Sequence, residues 1–255
     1  MYIDTHAHLQ DEQLLSDVES VIKSANQNNV KKIICSSWNV ESSQMAVELS
    51  NKYFGVFATI GVHPENCEEY SQDAEDSLIQ LAKSNKVCAI GEIGLDYHYT
   101  KENKELQKQV FASQIILADK LGLPIVIHTR DAMGDTMQVI RECKKYINHG
   151  GVFHCFHGSK EILDEIIKMG FYVSYGGATT FNNASDLKEL VKVTPIDRIL
   201  TETDCPYMSP VPLRGKKNEP KNIAIIIKNI SELKNVAINI LEEIIEKNTK
   251  NIYNI

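Results

Sequence analysis

Five short stretches of this chain place a histidine or a carboxylate at or just past an apolar run. They are Ile3-Asp4-Thr5-His6-Ala7-His8, Ala89-Ile90-Gly91-Glu92, Ile125-Val126-Ile127-His128, Val152-Phe153-His154 and Ile199-Leu200-Thr201-Glu202-Thr203-Asp204. Imidazole and carboxylate together form the donor set that divalent transition metals take. His6 and His8 are two residues apart, so on a strand both face one side and can grip one ion. Asp4 continues that face or orients one of the histidines. Glu92, with two oxygens, can bridge two cations. The set permits two adjacent sites: His6, His8, Glu92 and Asp204 on one ion, and Glu92, His128 and His154 on the other. Two ions about 4 Å apart clamp the attacking and leaving oxygens of a displacement and lower the pKa of bound water towards ~7. Asp204 is then placed to take a proton from that water as general base. A lone buried His or Asp is usually a satisfied core group, but six at strand ends of one chain point to a metal site.

Positioning such residues requires a regular frame. Apolar runs suited to strands lie at Tyr2–Asp4, Lys32–Cys35, Val56–Ile60, Val87–Gly91, Ile125–Ile127, Val152–Phe153, Tyr172–Ser174 and Arg198–Leu200. Their near-continuous hydrophobicity fits a parallel sheet buried on both faces. Helical patterns lie between them, at Asp76–Ser84, Glu102–Leu121, Asp135–Tyr146 and Lys160–Met169. Two more, Ile223–Leu233 and Val236–Asn248, lie near the C-terminus. In Glu102–Leu121 the residues Leu106, Val110, Leu117 and Leu121 share one face, with Gln114 the polar break. Gly122 offers a helix stop and Pro124 opens the next strand. An open doubly wound sheet gathers ligands at one switch point, whereas here strands one, three, four, five, six and eight all lead into His, Glu or Asp. Only closure brings those ends together, so the alternation predicts a TIM (β/α)8 barrel with the metal site at the C-terminal ends of its strands. No repeat, low-complexity tract or linker divides residues 1–255, which read as one metal-dependent hydrolase domain.

Composition agrees. The chain has 255 residues, 43% hydrophobic and 24% charged, ordinary for a globular protein. No apolar run approaches the ~20 residues of a membrane span, and no basic segment precedes the first apolar run, so neither membrane insertion nor a secretory signal is expected. The six cysteines form no CxxC pair and several sit in apolar runs, which fits reduced thiols in a cytoplasmic protein rather than disulfides or a zinc–thiolate site. A net charge of −7 argues against coating nucleic acid by bulk electrostatics, leaving Arg214-Gly215-Lys216-Lys217 as a local phosphate-binding candidate.

These residues resemble a known family. Ile3-Asp4-Thr5-His6-Ala7-His8-Leu9, Gly61-Val62-His63-Pro64, Gly91-Glu92-Ile93-Gly94-Leu95-Asp96-Tyr97, His128-Thr129-Arg130, His154-Cys155-Phe156, Glu202-Thr203-Asp204-Cys205-Pro206-Tyr207 and the stretch Pro212–Pro220 are similar, in order and spacing, to the TatD-type metal-dependent deoxyribonucleases of the amidohydrolase superfamily. The resemblance implies a TIM barrel with His6, His8, Glu92, His128, His154 and Asp204 as metal ligands and Glu92 and Asp204 as catalytic groups. It implies two divalent ions and hydrolysis of DNA phosphodiester bonds, as a 3′–5′ exonuclease on single strands or DNA ends. Nucleases of this family are described as magnesium-dependent, whereas a histidine-rich site suits Zn, Mn, Fe or Ni better than Mg. The chain departs from the family pattern at His157, where a small residue is usual; a solvent-facing change is the simpler reading, a ligand or phosphate contact the other.

Further substrate contacts are His63, Arg130, Arg214 and Lys216, each weighed against packing or a solvated surface. Glu202 is expected to support a ligand and Asp96 to serve loop structure. Trp38 could stack on a base or cover the barrel mouth. His98 and His149 read as surface residues. Two other functions remain open: an ester or amide hydrolase such as an aminoacyl-tRNA deacylase, since fold does not fix substrate, and a non-catalytic barrel that binds metal or nucleic acid. Glu92, where many amidohydrolases carry a modified lysine, favours the nuclease-like branch.

Overall fold

The computed structural model describes residues 1–99 and 102–255. In chain order its elements are β1 (Tyr2–Ala7), α1 (Glu12–Leu15), α2 (Val18–Gln27), β2 (Val30–Cys35), α3 (Val40–Lys52), β3 (Val56–Ile60), α4 (Gln72–Leu81), β4 (Val87–Asp96), α5 (Lys104–Leu121), β5 (Ile125–Arg130), α6 (Met133–Glu142), β6 (Gly151–Phe153), α7 (Lys160–Lys168), β7 (Tyr172–Tyr175), α8 (Ser185–Val193), β8 (Ile199–Thr201), α9 (Ile223–Lys234) and α10 (Ile238–Tyr253). The strands follow one another in the sheet order β1 to β8, the alternation of a TIM (β/α)8 barrel. Each of the eight runs named from sequence lies on a strand, except that the eighth strand starts at Ile199, with Arg198 in the 3-10 turn before it. Four of them continue past the apolar run into polar residues: β1 to Ala7, β4 to Asp96, β5 to Arg130 and β8 to Thr201.

Two compact units make up the chain. One combines Met1–Cys35 with His154–Ile255, and the other is the continuous segment Ser36–Phe153. In the first, β1 pairs with β2 and β7 with β8, all parallel, and an isolated parallel bridge joins Ala7 to Cys205 beyond β8. Hydrogen bonds from one side chain and two backbone amides reinforce that closure. Thr5 Oγ1 donates to the Thr201 carbonyl at 3.0 Å, the His8 amide to the Cys205 carbonyl at 2.8 Å, and the Asp204 amide to the His6 carbonyl at 2.9 Å. The bonds hold the end of β1 against the loop after β8 across almost the whole sequence.

In the second unit β3, β4, β5 and β6 pair in sequence, all parallel. Ile60, Ile90, Ile93 and Ile127 are fully buried there, as a sheet covered on both faces requires. The polar break on the longest helix, Gln114, is buried. Its side chain accepts from the Val62 amide at 2.8 Å and donates to the Val62 carbonyl at 2.8 Å. Gln107, two turns earlier on α5, does the same for Asp96, accepting from its amide at 2.9 Å and donating to its carbonyl at 3.0 Å. Residues seven apart share a helix face, so one face of α5 carries two amides that pair backbone groups at or just past strand ends.

Candidate metal centre

Each unit carries a cluster of imidazoles and carboxylates. In the first, the closure of β1 on the loop after β8 brings His6 and His8 to Asp204. Asp204 Oδ1 lies 3.4 Å from His8 Nε2 and 3.8 Å from His6 Nε2. The His6 ring stacks on His154, with centroids 4.1 Å apart and planes at 11°. All three histidines are buried. Asp204 adopts a left-handed backbone, φ 57°, which Asp tolerates better than most residues. Burial pushes the Asp204 carboxyl up, but the hydrogen bond from His8 and the positive field of His6, His8 and His154 outweigh it and hold the group below the usual carboxylate range.

Two acidic residues behind this cluster brace it. Asp4 is fully buried and accepts from the His6 amide at 3.3 Å, the Thr203 amide at 2.8 Å and Thr203 Oγ1 at 2.5 Å. Burial pushes its carboxyl up to about 8 in spite of those bonds. Glu202 accepts from the Cys155 amide and from Ser174 Oγ, both at 2.5 Å, and its Oε1 lies 3.8 Å from His154 Nδ1. One nitrogen each from His6 and His154 and one oxygen of Glu202 lie within 4.8 Å of one another. Glu202 thus enters a donor group as well as supporting one.

In the second unit Glu92, on β4, meets two imidazoles. Its Oε2 lies 3.6 Å from His128 Nδ1 and 3.9 Å from His63 Nε2, and donor atoms of the three residues fall within 4.8 Å of one another. His128 is oriented from its far side, where Nε2 lies 2.9 Å from Asp96 Oδ2. Burial pushes the Asp96 carboxyl up, yet hydrogen bonds from His128 and from the Tyr99 and His98 amides more than offset it and bring it to about 2. An ionised carboxylate only accepts, so the proton sits on His128 Nε2. Nδ1 then keeps its lone pair for the Glu92 side. Gly94 is required beside them: with φ +144°, a Cβ there would lie 1.9 Å from the His128 carbonyl oxygen.

The sequence named these residues with different weights. His63, weighed as a phosphate contact or packing residue, stands beside Glu92 and His128. Asp96, expected to serve loop structure, does so through the His98 and Tyr99 amides and also fixes His128. Arg130 and Arg214 are exposed, each stacked on an aromatic ring, Arg130 over Tyr99 at 4.7 Å and Arg214 over Phe181 at 4.2 Å; Lys216 is exposed in the same loop as Arg214. His157 is exposed, its Nδ1 2.6 Å from the Cys155 carbonyl. His98 is exposed but lies 3.1 Å from Asp131 Oδ2; His149 is exposed. Trp38 is half-buried and its carbonyl accepts from the His63 amide at 2.8 Å, which ties it to the position of that histidine. Among the described residues, no helix is long and apolar enough to cross a membrane.

Two of the four carboxylate–imidazole separations, 3.4 and 3.6 Å, match the spacing of ligands on a divalent ion, and the other two, 3.8 and 3.9 Å, lie a few tenths of an ångström beyond it. Ligands at 2.0–2.2 Å in tetrahedral array stand about 3.3–3.6 Å from one another. Imidazole nitrogen with carboxylate oxygen is also the donor chemistry such ions take.

Comparison with known proteins gives the same picture over the whole chain. Residues 3–254 match the family described as TatD related DNase. YabD of Bacillus subtilis strain 168, an uncharacterized metal-dependent hydrolase, is 41% identical over 255 residues, covering 100% of both chains. YcfH of Escherichia coli K12, likewise named an uncharacterized metal-dependent hydrolase, is 36% identical over 99% of this chain and 96% of its own. Among solved structures, the TatD homolog YjjV of Escherichia coli K12 superimposes with a TM-score of 0.94 at 27% identity, covering 100% of this chain and 98% of its own.

Proposed function

The chain belongs to the TatD-related DNase family of metal-dependent hydrolases, and from that premise we propose that it is a two-metal phosphodiesterase that removes nucleotides from DNA ends in the 3′–5′ direction. The observation that carries this reading is the pair of carboxylate oxygens, on Asp204 and Glu92, that each face two ring nitrogens. His6, His8, His154 and Asp204 would hold metal in the first unit, and Glu92, His128 and His63 in the second. Bound there, a divalent ion supplies Lewis acidity to the phosphoryl oxygens and acidifies water.

The chain's own groups do the rest. Asp96 fixes the tautomer of His128, and Glu202 braces the turn at Cys155 next to His154. Asp204, held below the usual carboxylate range, is ionised at neutral pH and accepts a proton from the attacking water at a carboxylate oxygen. The exposed cations of the loop after β8 offer charge to the substrate phosphates. The family description and this loop together support DNA over an ester or amide substrate.

The test is turnover of 3′- and 5′-end-labelled single- and double-stranded DNA by metal-stripped protein, with Mg, Mn, Zn or nothing added back. Metal-dependent release of mononucleotides from the 3′ end is expected. Asp204→Asn should lower the rate by about 10²- to 10⁴-fold and Glu92→Ala should abolish it, with unchanged circular dichroism. No release with any metal, from protein shown to bind two ions, would refute the nuclease reading and turn attention to ester and amide substrates. Wild-type rates in both variants would remove these residues from the mechanism.

A further inference from the structure

Five lysines stand along one edge of the second unit. Strands β3, β4, β5 and β6 are parallel neighbours there, so the connections that lead into them line up at one edge of the sheet. Backbone bonds tie each connection to the neighbouring strand. The Ala58 amide donates to the Lys86 carbonyl at 2.9 Å, the Ile90 amide to the Pro124 carbonyl at 2.9 Å and the Ile125 amide to the Gly150 carbonyl at 3.2 Å. The connections are residues 53–55, 82–86, 122–124 and 143–150. They carry Lys83, Lys86, Lys144 and Lys145 and no Asp or Glu, in a chain whose net charge is −7. Lys52 closes α3 beside them, and Glu142, which closes α6, accepts from Gln138 Nε2 at 2.9 Å.

Among the described residues, none of the five lysines forms an ion pair. Three lie over aromatic rings instead: Lys52 Nζ is 5.1 Å from the Tyr53 centroid, Lys86 Nζ 4.9 Å from that of Phe57, and Lys145 Nζ 4.7 Å from that of Tyr146. Phe54, at the turn between α3 and β3, is 95% exposed. The macrodipole leaves partial negative charge at a helix C-terminus and so favours a cation there, which accounts for Lys52. It gives no reason for Lys83 and Lys86 past the end of α4, nor for a phenylalanine held in water among lysines, where its transfer out of water is forgone.

An anionic bilayer surface answers both features. Lysines within a Debye length of anionic headgroups are each drawn to them, and an aromatic ring is favoured at headgroup depth. A single strand of nucleic acid would also attract the lysines, but it needs open ring faces for its bases, and here lysines lie over the faces of Tyr53, Phe57 and Tyr146. We propose that this edge docks the protein on membranes that contain anionic lipid, with Phe54 in the headgroup layer and the five lysines on lipid phosphates. Such docking is reversible and needs no spanning helix. The edge lies at the starts of strands whose later residues carry Glu92 and His128, so it can be altered without touching those donors.

Co-sedimentation of the full chain with lipid vesicles tests the assignment. Wild type should pellet at low salt with vesicles of phosphatidylcholine and phosphatidylglycerol, stay in solution with phosphatidylcholine alone, and be released as salt rises. Lys144→Ser combined with Lys145→Ser should lower the partition coefficient about 25-fold, the product of roughly 5-fold for each lysine, and Lys83→Ser combined with Lys86→Ser should do the same. Phe54→Ser should weaken binding and leave its salt dependence unchanged. Phe54→Trp should shift tryptophan emission to the blue when anionic vesicles are added, whereas wild type, whose one tryptophan is Trp38, should not. None of these side chains is buried, so every variant should keep the wild-type circular dichroism. Wild type that ignores anionic vesicles at low salt overturns the proposal, and so does vesicle binding that neither lysine pair weakens. Tighter binding to oligo(dT), lost in the same lysine variants, overturns it in favour of nucleic acid.

Discussion

At the scale of single residues, carboxylates decide what each histidine can do. Asp96 is the clearest case. Held at about 2, below the ~3.9 of an unfolded Asp, its ionised form stabilises the fold at any pH above about 4. That contribution is lost as pH falls from about 4 towards 2, because the unfolded chain then binds the proton more readily than the native one. Urea denaturation of metal-free protein should find wild type more stable than Asp96→Asn at pH 6, with the gap shrinking as pH drops towards 3. A gap independent of pH would show that the carboxylate's charge does not stabilise His128. Asp4 differs from Asp96 although both are buried: burial wins at Asp4, and hydrogen bonding with the field of His128 wins at Asp96.

At the scale of elements, α5 shows why a polar residue in a buried helix face need not weaken it. Gln114→Leu keeps the volume but strands the Val62 amide and carbonyl in a buried position. At about 1–3 kcal/mol for each of the two unsatisfied groups, we expect a loss of about 2–6 kcal/mol in the denaturant midpoint analysis, with catalytic turnover reduced because His63 is the next residue. A loss below about 1 kcal/mol would mean that the clamp is dispensable. The strands were legible because parallel strands buried on both faces read as unbroken apolar runs. Their ends were not: β4 and β5 extend to Asp96 and Arg130 through the polar residues that build the site. Neither α2 nor α3 is among the helices expected from sequence: α3 hides Ser42, Ser43 and Ser50 on its buried face and shows little apolar periodicity, whereas α2 is missed although Val18, Val21, Ile22 and Ala25 carry the i, i+3, i+4, i+7 signal. The partnership of Asp96 with His128 had no sequence signal, since the residues lie 32 apart and meet only through strand pairing.

At the scale of the molecule, the acidic balance and the basic loop act at different ranges. A net charge of −7 repels long duplexes, while the cations at 214–217 work within about a Debye length, ~8 Å at physiological salt. Gel retardation of a plasmid-length duplex should therefore be absent at micromolar protein and physiological salt, even where end-labelled strands are cleaved. Salt-sensitive coating of the duplex would mean that charge over a far larger surface drives binding. The division into units has a consequence in time. His6 and His8 lie in the first 35 residues of a unit completed only by the segment that begins at His154. A ribosome adding about 5–20 residues per second makes those histidines wait about 10–40 s for Asp204. On the reading proposed above, a nascent chain carries imidazoles without their general base for most of its synthesis, and products truncated before residue 204 inherit the histidines but not the hydrolysis.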